Sequence, residues 1–213
     1  MMKVYTAGED PVTCAILRRL IRDYAPHLHI LREEPARGGQ LKKMISQFNR
    51  LAQTTPVILL EDLDTDDCAP ITRKKLLNGE EQAEDFIINI AVDEAEAWLY
   101  ADPEGLSRYL KVPKEDIPVS TLQKMGGVHS RYEVSTPIKT SMHLTKVLIN
   151  SSTDEELKKM VKSPDGRCKG KEYNPAIVKF IEEKWNPESA RKASYSLNGM
   201  IARIQALSDK YSE

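Results

Sequence analysis

Apolar positions in the first ninety residues fall into short runs separated by segments with helical spacing. Val4-Tyr5-Thr6 reads as a first strand. Asp10 offers a helix N-cap, and Pro11 suits the first helical position, where a missing N–H leaves no bond unmade. Val12, Ala15, Ile16, Leu17 and Leu20 form the apolar face of a helix reaching about Tyr24. Leu28 to Leu31 is a second short strand, and Arg37-Gly-Gly39 a turn. Leu41, Met44, Ile45, Phe48 and Leu51 mark a second helix. Val57-Ile-Leu-Leu60 is a buried strand, Ala69-Pro70 opens a short helix that Asn78-Gly79 closes, and Phe86 to Val92 is a fourth strand.

Beyond Val92 the pattern changes. Asp93 and Glu96 have capping-box spacing ahead of Trp98, Leu99 and Leu106. Val112 to Ile149 carries scattered Pro, Gly and Ser, then an apolar cluster around Leu144, Val147, Leu148 and Ile149. Ser152 or Thr153 is expected to cap a further helix, and Ser163-Pro-Asp-Gly166 is a turn. Asn174-Pro175 and Asn186-Pro187 start two more helices, and the last helix carries Leu197, Ile201, Ile204 and Leu207. Strands alternating with helices predict an α/β fold: a mostly parallel sheet flanked by helices, joined by right-handed crossovers. The expected division is a core over residues 1–102 and a mostly helical extension over 103–213, packed on it.

The 213 residues suffice for one good core and a smaller appended unit. The formal net charge of −1 gives no global attraction for nucleic acid, so such binding needs a local patch. Cys14, Cys68 and Cys168 form no CxxC and leave one cysteine over, which favours a reducing compartment. The start lacks a signal-peptide pattern, and no apolar run approaches the roughly 18 residues of a membrane span. A cytoplasmic protein without membrane attachment is the expectation.

The candidate chemistry lies at strand ends. Asp62 and Asp64, two apart just beyond Leu60, project to one side of an extended chain. They repel unless a proton or cation intervenes, and hard Mg²⁺ takes oxygen ligands of this kind. Glu9 follows the first strand and is either a third member of such a site or a charge favouring a helix N-terminus. Asp62, Asp64, Asp66 and Asp67 also suit a solvated turn. With Asp93 and Glu96 read as a cap, Glu94 is left without a structural role. Trp98 and Trp185 read as core. His27, His29, His129 and His143 lack metal-ligand spacing, and His129 is a weak candidate base or a surface residue. Among the cations Arg37, Arg73, Lys74, Lys75, Lys124 and Arg167, the segment Lys169-Gly-Lys171 is notable, since glycine allows backbone N–H groups close to a phosphate.

Glu9 and Asp62-Leu63-Asp64 resemble the acidic positions of a Toprim-type core. In that family a glutamate after the first strand and an Asp-x-Asp after a later one hold Mg²⁺ for phosphoryl transfer on nucleic acids. Topoisomerases, primases and nucleases related to overcoming-lysogenization-defect proteins share it. The wider chain resembles bacterial Toprim-like proteins of unassigned function through Asp93-Glu-Ala-Glu-Ala-Trp-Leu-Tyr-Ala-Asp102, Lys169-Gly-Lys-Glu-Tyr-Asn174 and Trp185-Asn-Pro187. The family order is Glu-Gly, whereas this chain reads Gly8-Glu9. The resemblance implies a Mg²⁺- or Mn²⁺-dependent nuclease-like activity, with Glu9, Asp62 and Asp64 as ligands and catalytic groups and Lys169 and Lys171 on phosphate. A non-catalytic Toprim-like module with a protein partner, in a bacterial defence or mobile-element system, is the alternative. A haloacid-dehalogenase-like phosphatase ranks below both, because Asp62-Leu-Asp-Thr65 lacks one residue of Asp-x-Asp-x-Thr.

Overall fold

The computed structural model describes residues 1–35, 39–63, 68–125 and 129–212. The chain forms two compact units, residues 1–91 with 198–213 and residues 92–197. The sequence-based boundary at 102 falls inside the second.

In the first unit the elements are β1 (Met2–Gly8), α1 (Pro11–Tyr24), β2 (Leu28–Pro35), α2 (Gln40–Leu51), β3 (Val57–Asp62), α3 (Ala69–Leu77) and β4 (Phe86–Ala91). The four strands pair in the order β2-β1-β3-β4, every pair parallel, so the expected parallel sheet flanked by helices is present. β4 and all but the last residue of β3 are buried on both faces, which explains why Val57–Leu60 and Phe86–Ile88 are apolar runs rather than alternating ones. α1 starts as its sequence dictates: the Asp10 side chain accepts from Thr13 N at 2.9 Å, and Thr13 Oγ1 accepts from Asp10 N at 3.0 Å.

From β1 the chain runs outward to β2 and then returns to the other side of β1 for β3. The carboxyl ends of β1 and β3 therefore flank the switch point of the sheet, where open α/β sheets form a crevice. Register sharpens this. Gly8, the last residue of β1, pairs with Leu60 of β3, so the next residues, Glu9 and Glu61, are neighbours.

The second unit is mostly helical: α4 (Glu96–Tyr100), α5 (Pro103–Leu110), α6 (Thr140–Lys146), α7 (Glu155–Val161), α8 (Tyr173–Glu183) and α9 (Pro187–Ala190). Within Val112–Ile149 it also holds an antiparallel ribbon, β5 (Thr121–Met125) and β6 (His129–Glu133), that periodicity does not reveal. The final helix, α10 (Tyr195–Lys210), belongs to the first unit from residue 198 onward. Trp98 and Trp185 are core, as expected. Three helix starts differ from expectation: α8 begins at Tyr173 with Glu172 as its N-cap and no side-chain cap bond, so Asn174 lies inside the first turn rather than capping it. The N-cap of α4 is Ala95 with no side-chain bond, so Asp93 and Glu96 form no capping box. Asp154 caps α7, in place of Ser152 or Thr153, accepting from the backbone of Glu156 and Leu157.

Candidate functional site

Glu61 is the acid that sequence spacing passed over. It ends the apolar run of β3, is only 1% exposed, and its Oε2 is buried with no hydrogen-bond partner. Burial first, and then the adjacent Glu9 carboxyl, push its pKa up to about 8, while Lys42 acts in the opposite direction. The Lys42 ammonium, on the first turn of α2, is 3.6 Å from Glu61 Oε1. Two carboxyl groups with one exposed lysine form a site that retains a proton at neutral pH or takes up a further cation.

Gly8 explains why the glycine here precedes the acid. A Cβ at position 8 would meet Thr13 Oγ1 at 2.5 Å, inside the capping box that starts α1. The glycine is demanded by the approach of β1 to the helix, and Glu9 takes the next position, beside Glu61.

Asp62 is the last residue of β3, half-buried, in register with Ala91 of β4. Strand alternation turns it to the face opposite Glu61. Asp64, Asp66, Asp67 and Arg37 lie outside the described residues, as do the side chains of Lys124 and His129. Among the described residues no group of three or more His, Cys, Asp and Glu is arranged to hold a metal ion. The thiol of Cys14 is buried, and burial followed by Glu33 raises its pKa to about 12, so it is no nucleophile at neutral pH.

The second unit holds a separate polar cluster. Asp93 sits at φ +66°, a left-handed conformation uncommon for a residue with a Cβ, and accepts from Thr140 Oγ1 at 2.9 Å. Glu94, which seemed without a role, is buried and accepts from Ser141 N at 2.8 Å, with Lys139 at 3.8 Å. Glu96 accepts from Tyr173 Oη at 3.0 Å and pairs with Lys169 at 3.3 Å. Tyr100 Oη lies 3.1 Å from His143 Nδ1. Burial, then Glu96 and Glu94, hold the Tyr100 phenol well above its usual range, while burial lowers the His143 pKa. A phenol kept protonated beside a neutral imidazole donates to Nδ1, which places the imidazole proton on Nε2.

Lys169 is thus engaged with Glu96, and its ammonium lies 4.4 Å from the centre of the Tyr173 ring. Lys171 is exposed. The glycine between them has a packing cause: a Cβ at Gly170 would meet Met160 O at 2.2 Å, where residues 162 and 169 form a β-bridge. Spacing alone could not reveal the pairing of Glu9 with Glu61, because it depends on strand register. The available signal was that each is the first acid after its strand's apolar run.

Among the described residues no helix is long and apolar enough to cross a membrane. No curated protein and no solved structure matches the chain. Residues 8–205 match the family described as Domain of unknown function (DUF4276), a span that includes Glu9, Glu61 and the buried cluster of the second unit, and the chain belongs to that family.

Proposed function

We propose that the Glu9 and Glu61 pair binds Mg²⁺ or Mn²⁺ and supports nuclease-like phosphodiester chemistry on nucleic acid, with Asp64 rather than Asp62 as the further acid of the sequence motif. The observation that carries this reading is the buried, partnerless Oε2 of Glu61 beside a second carboxyl at the switch point of the sheet. A buried acceptor without a donor is costly, and a cation between two carboxylates would relieve both the desolvation and the repulsion. The donor set is all oxygen, which suits a hard divalent ion. Such an ion would polarise a phosphoryl oxygen and lower the pKa of a bound water.

The chain's own groups have defined parts in this reading. Glu61 retains a proton up to about pH 8 and releases it when a cation takes its place. Glu9 is the neighbouring acceptor. Lys42 holds Glu61 Oε1 and balances one negative charge. Lys171, exposed, serves phosphate contact, whereas Lys169 orients Glu96.

Titration calorimetry with Mn²⁺ tests the proposal without a known substrate. Binding should release about one proton below pH 8, read from the dependence of the heat on the buffer, and should strengthen as pH rises towards 8. Glu61→Gln and Glu9→Gln should each weaken binding at least tenfold, and metal-dependent nicking of DNA or RNA should vanish in the same variants. Absence of Mn²⁺ binding at millimolar concentration would exclude the enzyme reading. One observation favours the non-catalytic module: Lys42 already supplies a cation to Glu61 from within the chain. Metal binding without cleavage of any nucleic acid would support it.

A further inference from the structure

The start of α2 lacks what ordinarily stabilises a helix N-terminus. Its N-cap is Gly39 at φ +72°, a left-handed conformation that suits glycine, and no side chain caps the helix. The first turn holds no acid. Lys42 and Lys43 follow Gln40 and Leu41 there, and Gln40, Lys42 and Lys43 are exposed. Two ammonium groups stand at the positive end of a helix of 12 residues, whose first N–H groups have no side-chain acceptor. An anion would stabilise that arrangement.

Glu61 reaches the same turn. Its Oε1 lies 3.6 Å from Lys42 Nζ, while its Oε2 is buried with no hydrogen-bond partner. The Lys42 side chain stays 58% exposed, so this pair does not bury the ammonium. Among the described residues Glu9 and Glu61 have no third His, Cys, Asp or Glu arranged with them to hold a metal. Mg²⁺ held by one or two carboxylates usually completes its shell with water and substrate phosphate. A divalent ion between the two carboxyls would also cancel their charge, leaving Lys42, Lys43 and the helix end without a counter-ion.

We propose that the first turn of α2, with Lys42 as its principal side-chain contact, is a phosphate-binding subsite beside Glu9 and Glu61. The ligand chemistry is a tetrahedral phosphate oxyanion, held by the backbone N–H groups of residues 40–42 and the Lys42 ammonium. A carboxylate has two oxygens to offer, whereas a phosphate has enough for the helix end and a metal together. The place of this subsite in a reaction rests on the phosphodiester reading above, but phosphate binding itself draws on the chain's own groups.

The test is phosphorus NMR of inorganic phosphate titrated with the full chain at fixed ionic strength, first in EDTA and then in Mg²⁺. The parent should bind saturably in EDTA and more tightly in Mg²⁺. Lys42→Gln should weaken binding about five-fold or more in both conditions, the scale of one partly exposed charge-assisted contact. Gln40→Glu sets an acid in the first turn and should weaken binding by a similar factor while keeping or raising the thermal midpoint, because a negative charge suits this end of the helix. Glu61→Gln should remove the gain from Mg²⁺ and leave the binding in EDTA. Dimethyl phosphate distinguishes the sources: its binding assigns the subsite to an internal phosphodiester, and binding of inorganic phosphate alone assigns it to a terminal phosphate. No saturable binding in either condition, or binding that Lys42→Gln and Gln40→Glu leave unchanged, overturns the proposal. Mn²⁺ binding without phosphate binding strikes this subsite and keeps the metal reading. Phosphate binding in EDTA without any metal binding does the reverse.

Discussion

At the residue scale, a buried glutamate beside a second glutamate keeps its proton, and this gives Glu61 a directional effect on stability. The folded state holds the proton up to about pH 8, whereas an unfolded glutamate loses it near pH 4.3. Between those values the folded state binds more protons, so stability falls as pH rises, by at most about 1.4 kcal/mol per pH unit from this group. The contribution is complete below about pH 4.3 and gone above pH 8. Glu61→Gln keeps the shape without the charge and should flatten this slope, so that the variant exceeds the parent in urea midpoint at pH 8 and approaches it at pH 5. A parent whose stability rises from pH 5 to 8 by the same amount as the variant's would show that Glu61 is ionised throughout. Asp93 teaches a related lesson. Its spacing to Glu96 is that of a capping box, but a left-handed backbone turns its carboxylate to Thr140, and Glu96 is drawn to Lys169 and Tyr173.

At the element scale, Asp102 joins two helix starts within the second unit. Its Oδ1 accepts from Gly105 N at 3.1 Å in the first turn of α5, and its Oδ2 from Asn186 N at 2.9 Å, just before α9. The carboxylate is buried, so neither N–H has water as a substitute. Asp102→Ala should cost about 3 kcal/mol, the sum of two charge-assisted bonds at the modest end of their range. Asp102→Asn, which keeps one acceptor oxygen, should cost roughly half as much. Chemical denaturation measures both, and a loss under about 1 kcal/mol for Asp102→Ala would mean the two N–H groups find other acceptors. Strong caps were legible locally: Asp10-Pro11 and Asn186-Pro187 start helices where expected, since the cap residue and its donor lie within three positions. The β5–β6 ribbon was not, because neither face alternates cleanly and one face is secured by polar contacts with residues some sixty positions away.

At the scale of the whole molecule, the chain leaves its first unit after Ala91 and returns to it at Asn198. Arg203 of α10 donates through Nε to Asn89 Oδ1 at 2.8 Å, in the middle of β4, and Lys210 pairs with Asp85 at 2.8 Å. Met200, Ile201, Ile204 and Leu207 of the same helix are buried. At roughly 1.5–3 kcal/mol for each apolar side chain, losing these four is comparable with the whole stability of a typical protein. A chain ending at Leu197 should therefore fail to fold its first unit, read as loss of the cooperative thermal transition and of amide protection in β3 and β4. Protection unchanged in both strands would show that the sheet stands without its last helix.

What the sequence determined by itself was whatever acts over a few residues or through periodicity. The apolar runs of β3 and β4, the helices between them, the starts of α1, α3 and α9, the buried tryptophans and the acidic character of the ends of β1 and β3 all belong here. Burial and hydrogen bonding at that range are set by the pattern of side chains alone. The tertiary structure decided which acids meet. The register of Gly8 with Leu60 makes neighbours of Glu9 and Glu61, fifty-two positions apart, and strand alternation turns Asp62 to the opposite face. It also decided that Gly8 and Gly170 answer to packing, through Thr13 and Met160, and that Glu94 and Glu96 are buried among partners from later helices. These outcomes depend on contacts between distant segments, whose register and orientation no local spacing encodes.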